Sequence, residues 1–478
     1  MPVLVGDPLG ALQTFSTLRT HVGRWRSLRE RVAGRGLLAT ILTVGGLTLL
    51  VKIVAAGKEV VVARQLGVGD AVDAFVVAFS LPNLTMQIIT TSFNAALIPT
   101  YIEVRERAGA AAAQRLLSGV MFWSLGLLLL ASALLALLFP LVLPFLAASF
   151  SPQKLAFTRL LFWTLLPVIT ITGVALNWTA ALNAEGKFAL PAAAPIITSL
   201  IIAGILLFRV HTWGVWGLAI GTLVGGGLEM ALIGGYLRRQ GFSLLPRWQS
   251  MDADLRQVMR QYGPLAGAAA AFSSLGIVDT AVAARLGPGS VAALNYGGKI
   301  VIMVMSVTST AVYTSVLPHF SRLVVSGDWK SIREDLRHYS LLILLTLIPL
   351  ALLISYFSLP LVRLGFQRGV FTPQDTRLVS HVQACFTLQI PFYTLWVLYL
   401  RLISALKMNS QIFLVFSANV VLNFVLDIVL AKYLGVAGIA LSTTLVTVFS
   451  TSAFYLFLVR ALPNQDAAGD SIAMGREQ

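Results

Sequence analysis

The sequence predicts an all-α polytopic membrane protein with twelve transmembrane helices arranged as two six-helix bundles. Three observations carry that expectation: a chain too apolar to be soluble, apolar stretches of spanning length, and an internal repeat. Of the 478 residues, 57% are hydrophobic and only 12% charged, and the mean hydropathy is +0.82. A soluble domain carries roughly 25% charged residues, so this chain lacks the polar side chains to cover a water-facing surface. A cytosolic enzyme, a secreted disulfide scaffold and a disordered chain are excluded. The single Cys385 permits no intrachain disulfide and reads as a small buried hydrophobe.

Apolar stretches long enough to cross a bilayer fall at about 36–56, 72–100, 116–140, 158–182, 189–208 and 213–237. A second group follows at about 260–284, 291–318, 339–360, 378–400, 410–431 and 434–459. In lipid a helix satisfies its own backbone, and these segments are too long for barrel strands. The expected organisation is a basic extension at 1–35, one bundle at 36–240, a second at 257–461 and a polar tail at 462–478.

Charge in the loops fixes the orientation. About two-thirds of the 35 Lys and Arg fall on the side that holds the N-terminus. They include the run from Arg19 to Arg35, then Arg105, Arg107 and Arg115, then Arg238, Arg239, Arg247, Arg256 and Arg260. The positive-inside rule therefore puts both termini in the cytoplasm. The net charge of +15 is read as loops facing an anionic inner leaflet, not as a nucleic-acid surface. In the extension, Leu12, Phe15, Leu18, Val22, Trp25 and Leu28 alternate with basic residues, as in an amphipathic helix lying on that leaflet. A solvated extension fits the same residues. No secretory signal pattern precedes the first span.

The repeat has an offset of about 220 residues. The run Ala63-Arg64-Gln65-Leu66-Gly67-Val68-Gly69 corresponds to Ala284-Arg285-Leu286-Gly287-Pro288-Gly289. Pro99 corresponds to Pro318, and Gly214-Val215-Trp216-Gly217 returns as Gly435-Val436-Ala437-Gly438. Each half has an even number of spans, so the halves share one topology about an axis along the membrane normal. Two such bundles facing across a cavity are the architecture of an alternating-access transporter.

Ionisable groups near the bilayer centre each cost roughly 2.5–3.5 kcal/mol. Lys52, Asp73, Glu229, Asp279, Lys299 and Asp427 fall within or just inside spans, so they must face water, an ion or one another. Each half contributes one cation, Lys52 and Lys299, with Lys58 extending the patch. An anion-binding cavity is one reading; structural pairing with Asp73 or Glu229 is the other. Asn423 and Asp427 share one face of span 11, and Ile439 and Thr443 share one face of span 12. With Asp279 they offer two carboxylates, an amide, a hydroxyl and a carbonyl, hard oxygen ligands suited to Na⁺. A polar helix–helix contact explains the same spacing equally well.

The sequence offers little for catalysis. It has no Gly-rich phosphate loop, no metal-spaced His/Cys cluster and no catalytic triad. His21, His211, His319, His338 and His381 lie mainly at span ends or in loops. Asp252 and Asp254 read as a solvated charge pair.

The stretch Val60-Val61-Val62-Ala63-Arg64-Gln65-Leu66-Gly67, continuing through Asp73-Ala74-Phe75 to Leu81-Pro82-Asn83-Leu84, resembles the MurJ (MviN) family of lipid II flippases. That family belongs to the multidrug/oligosaccharidyl-lipid/polysaccharide exporter superfamily. The second half agrees through Gly289-Ser290-Val291, Asn295-Tyr296, Leu317-Pro318 and Phe371-Thr372. The resemblance implies a V-shaped transporter, not an enzyme, that moves an undecaprenyl-diphosphate-linked saccharide from the inner to the outer leaflet. It implies a monomer in the bacterial inner membrane, in contact with membrane lipids and with no nucleic-acid partner. Lys52, Lys58 and Lys299 match positions where the family holds cavity arginines that meet the diphosphate, and Asp73 matches its acidic residue in span 2. Asp279, Asn423, Asp427, Ile439 and Thr443 match a sodium site found in some members, which makes Na⁺ or the membrane potential the expected coupling.

Three departures qualify the substrate. Met86 and Gln87 stand where the family usually has a pair of arginines. The matched cavity cations are all lysine, which lacks arginine's bidentate fork. The family usually carries two further C-terminal helices beyond the twelve expected here. Flipping of capsule, O-antigen or exopolysaccharide repeat units is therefore the competing expectation. A cation-coupled multidrug antiporter is a more distant one, because its cavity should be acidic or aromatic.

Overall fold

The computed structural model describes residues 46–462, apart from residues 243, 245, 247, 249, 250, 313–315 and 407. The basic extension at 1–35 and nearly all of the polar tail at 462–478 lie outside the described residues. Among the described residues there is no strand. The first half comprises α1 (46–66), α2 (Asp70–Leu146), α3 (Pro152–Ala184), α4 (Ala189–Ala193), α5 (Pro195–Trp213) and α6 (Val215–Arg239). The second comprises α7 (Ala253–Ala283), α8 (Ser290–Ala311), α9 (Leu317–Ser326), α10 (Trp329–Tyr356) and α11 (Ser358–Phe366), then α12 (Pro373–Thr387), α13 (Ile390–Ala405), α14 (Asn409–Leu434) and α15 (Val436–Ala461).

Ten helical segments among the described residues are long and apolar enough to cross a membrane, so this is a multi-pass integral membrane protein. One of them, α2, has 77 residues. At 1.5 Å per residue it is about 115 Å long, several times the roughly 30 Å hydrocarbon thickness. It holds predicted spans 2 and 3, and the chain turns between them at Gly109 (φ 82). The loop expected there is largely helical. Predicted span 9 breaks at Phe357 between α10 and α11, and span 10 breaks at Leu388 and Gln389 between α12 and α13.

Predicted span 1 is displaced. It was expected to end near residue 56, but α1 continues to residue 66. Val62 and Ala63 in that last part are buried against Val72, Ala74 and Phe75 of α2, so packing extends the helix. Lys58, two residues past the predicted end of span 1, therefore lies within the helix.

The repeat is visible in backbone geometry. Gly214 joins α5 to α6 with φ 49 and ψ −130; Gly435 joins α14 to α15 with φ 57 and ψ −138. Both matched residues occupy the same positive-φ conformation, which glycine adopts without a Cβ clash. Each half thus closes with the same tight turn between its last two helices. Apolar side chains from both halves merge into one cluster where the α1–α2 and α7–α8 connections meet, including Val62, Val72, Ala283 and Val291.

Candidate functional site

A cavity of about 560 Å³ lies between the halves. The first half lines it with Lys58, Glu59, Phe75, Asn83, Met86, Gln87, Thr198 and Glu229. The second half contributes Ser273, Gly276, Thr280, Asn295, Tyr296 and Lys299. Most of the wall is apolar, so the few charges concentrate its electrostatics.

Three of those charges form one group. Glu59 Oε1 lies 2.6 Å from Lys58 Nζ and 3.1 Å from Lys299 Nζ. One carboxylate oxygen thus holds a cation from each half. The pairing alternatives named Asp73 and Glu229, but Glu59 is the partner. It escaped the sequence reading because the predicted span ended before it. An acidic residue directly beside Lys58 was the available signal. Lys52 sits six residues earlier on α1, half-buried and outside the lining of this cavity. Glu229 faces the cavity and accepts a hydrogen bond from Thr198 Oγ1 at 3.0 Å. No ion pair to Glu229 occurs among the described residues.

Asp73 does not line the cavity. It is 0% exposed and stands where the α1–α2 connection meets the start of α8. Its Oδ2 accepts from Gly289 N at 2.7 Å, and its Oδ1 accepts from Ala292 N at 2.8 Å. Lys154 Nζ lies 3.0 Å from Oδ2 and 2.5 Å from Asp70 Oδ1. The first turn of a helix exposes unpaired N–H groups that attract a carboxylate; here the carboxylate comes from the other half. Asp73, expected among the substrate-facing residues, is placed at this seam with both its oxygens engaged. Val370 N donates to Arg64 O at 3.0 Å nearby, and Ser149 Oγ donates to Ala284 O. Together these contacts seal the side that the charge pattern assigns to the outside.

The opposite side is also closed. Arg107 bridges to Asp254 at 2.7 Å, and Phe93 stacks on Tyr262 with centroids 4.1 Å apart. Asp252 caps α7 by accepting from Leu255 N at 2.8 Å. Asp252 and Asp254 thus serve as a helix cap and an ion-pair partner at the solvent-facing start of α7. His319, at the inner end of the second half, meets Asp335 at 2.6 Å.

The second predicted cluster is assembled within the second half. Thr443 Oγ1 donates to Asp279 Oδ2 at 3.2 Å and lies 3.1 Å from Ile439 O. Asn423 Nδ2 is 3.5 Å from Asp427 Oδ1 and from Ser442 Oγ. A Cβ at Gly438 would overlap the Leu430 carbonyl of α14. Glycine there lets α15 approach α14 closely and brings Ile439 and Thr443 to Asn423 and Asp427. Asp279 Oδ1, Asn423 Oδ1 and Asp427 Oδ2 are buried with no hydrogen-bond partner. Unpaired buried acceptors are costly, and a hard cation would satisfy all three. The residues therefore fit a Na⁺-type ion. No group of three or more His, Cys, Asp or Glu gathers among the described residues, so the donor set does not resemble a transition-metal centre.

The chain matches the family model for lipid II flippase MurJ over residues 62–475. It is 26% identical over 367 residues to a lipid II flippase MurJ of Burkholderia cenocepacia, covering 73% of this chain and 70% of that one. It is 25% identical over 447 residues to a probable lipid II flippase MurJ of Synechocystis, covering 90% and 83%. Among solved structures it is similar to a lipid II flippase MurJ in an inward closed conformation, with TM-score 0.75, 22% identity and 88% of both chains covered. It also resembles an inward-facing multidrug resistance MATE transporter of the MOP superfamily, with TM-score 0.70, 12% identity, and 86% and 94% coverage. The helical pair of bundles joined at both faces is thus a transporter fold.

Proposed function

Because the chain belongs to the lipid II flippase MurJ family, we propose that it carries a polyprenyl-diphosphate-linked saccharide from the inner to the outer leaflet through the cavity between its halves. The observation that carries this reading is the Lys58–Glu59–Lys299 group, a cation from each half held on one carboxylate oxygen. A diphosphate brings more negative charge than Glu59 and competes for both ammonium groups. Lysine supplies point charge without a fork geometry, so recognition is electrostatic more than directional. Lys52, one and a half turns nearer the inner side, is assigned the first encounter with the headgroup. Asn83, Gln87, Asn295 and Thr198 offer hydrogen bonds to sugar hydroxyls.

Transport requires the two closed faces to open in turn. Asp73 must release Gly289 and Ala292 for the headgroup to leave outward, while Arg107–Asp254 and Phe93–Tyr262 hold the inner face shut. Helix α7 couples this to an ion, since Gly276 lines the cavity and Asp279 lies one turn further along. Na⁺ at Asp279, Asn423, Asp427, Ile439 and Thr443 would supply positive charge that ties α7, α14 and α15 together. It biases the cycle only through different affinity in the two states. An inside-negative potential, worth about 2.3 kcal/mol per charge per 100 mV, draws that cation inward and favours outward movement of an anionic headgroup.

Met86 and Gln87 line the cavity at positions where the family resemblance implies arginines, which favours repeat units of capsule, O-antigen or exopolysaccharide as the second reading. Complementation separates the two. Expression in a bacterium depleted of its own lipid II flippase should restore growth. Failure of a correctly inserted protein to do so would transfer the assignment to the second reading.

A further inference from the structure

A second cavity, of about 650 Å³, is lined by the second half except for Asn83, which it shares with the first cavity. Asp279, Asn423 and Thr443 of the cation cluster line one end. From there the lining continues through Thr447, Asn419 and Ser450 to Gln389, Tyr393 and Trp396. The order follows helix register. Asn419 is one turn from Asn423 on α14, about 6 Å along the axis, and Thr447 is one turn from Thr443 on α15. Ser450 Oγ donates to Asn419 Oδ1 at 2.9 Å, which joins the two helices one step beyond the cluster. Both steps lead toward Asn409 on α14 and Ala461 on α15, the ends that the charge pattern assigns to the cytoplasm. There Trp396 stacks between Tyr393 and Phe416, with centroids 5.5 and 6.1 Å apart.

We infer that this cavity is the route by which a hard monovalent cation travels between the inner side and Asp279, separate from the saccharide cavity. The inference rests on the cation reading of the Asp279–Asp427 cluster. Amide and hydroxyl oxygens replace part of the hydration shell at each step, and the cavity has room for a partly hydrated ion. The two cavities adjoin at Asn83, Ser273 and Gly276, which line both. A separate route lets the ion leave while a headgroup occupies the other cavity.

The test uses the full chain in proteoliposomes, with Cys385→Ala as background and single cysteines at Thr447 or Asn419 in this route and at Thr222 in the saccharide cavity. The probes are Na⁺ and a permanently charged thiol reagent applied from one face at a time. The expected result is reaction of Thr447→Cys from the inner face, slowed at least several-fold by Na⁺. Its modification should abolish thermal stabilisation by Na⁺, while modification of Thr222→Cys should leave that stabilisation intact. If the Thr447 variant does not respond to Na⁺ before modification, Asn419→Cys replaces it. Loss of Na⁺ stabilisation on blocking Thr222→Cys but not Thr447→Cys would route the ion through the saccharide cavity and overturn the inference. Absence of Na⁺ stabilisation in the unmodified wild type would instead remove the cation reading itself, and this inference with it.

Discussion

Glu59 Oε1 lies 3.1 Å from Lys299 Nζ, so a carboxylate on the first helix holds a cation contributed by the other half of the molecule. The same oxygen is 2.6 Å from Lys58 Nζ. A diphosphate entering the cavity must displace this carboxylate, which sets the affinity by competition. Glu59→Gln should therefore bind undecaprenyl diphosphate several-fold more tightly, because both ammonium groups are freed. The same variant without ligand should lose on the order of 1 kcal/mol of stability, the scale of a partly exposed ion pair. Binding isotherms and thermal unfolding in detergent read the two effects, and weaker binding by Glu59→Gln would show that Glu59 helps to hold the ligand.

Asp73 should control the outer face. Hydrogen bonds to a charged group contribute about 1.5–3 kcal/mol each, and Asp73 accepts two across the halves. Asp73→Ala should shift the balance toward an outer-open state by on the order of 100-fold or more, since two such bonds amount to at least about 3 kcal/mol. With Val68→Cys as reporter in a Cys385→Ala background, labelling from the outer face should accelerate. Unchanged labelling would mean that the apolar packing around Val72 and Val291 seals this face without Asp73.

The cation cluster makes a thermodynamic prediction. A ligand bound only by the folded protein stabilises it by about 2.7 kcal/mol at 100 times its dissociation constant. Na⁺ should raise the melting temperature of the wild type and leave Asp427→Asn unmoved, since the substitution removes one of two carboxylates while keeping the shape. Equal stabilisation of both proteins would reduce the cluster to a polar contact between α14 and α15.

What could be read from the sequence follows the range of the interactions concerned. Spans are properties of local composition, and the paired turns at Gly214 and Gly435 left a repeat that survives as matching residues. Asn423, Asp427, Ile439 and Thr443 were legible because helix period alone puts each pair on one face. Glu59 was missed because the end of α1 is set by burial of Val62 and Ala63 against α2, not by composition. The partners of Asp73 were illegible for another reason: they are backbone N–H groups 216 and 219 residues away. No side-chain pattern encodes such a cap. Asp254 likewise finds Arg107 at a separation of 147 residues.

In the proposed cycle the lysines of the cavity carry a diphosphate headgroup across the membrane. Fluorescent lipid II in proteoliposomes, with an impermeant quencher added outside, measures that movement directly. Wild-type protein should move the headgroup faster than protein-free vesicles do, and Lys299→Arg should retain the activity. Lys299→Glu, inserted at the same level, should slow it at least tenfold, about 1.4 kcal/mol in barrier, because repulsion replaces attraction. Equal rates for wild type and Lys299→Glu would contradict the claim.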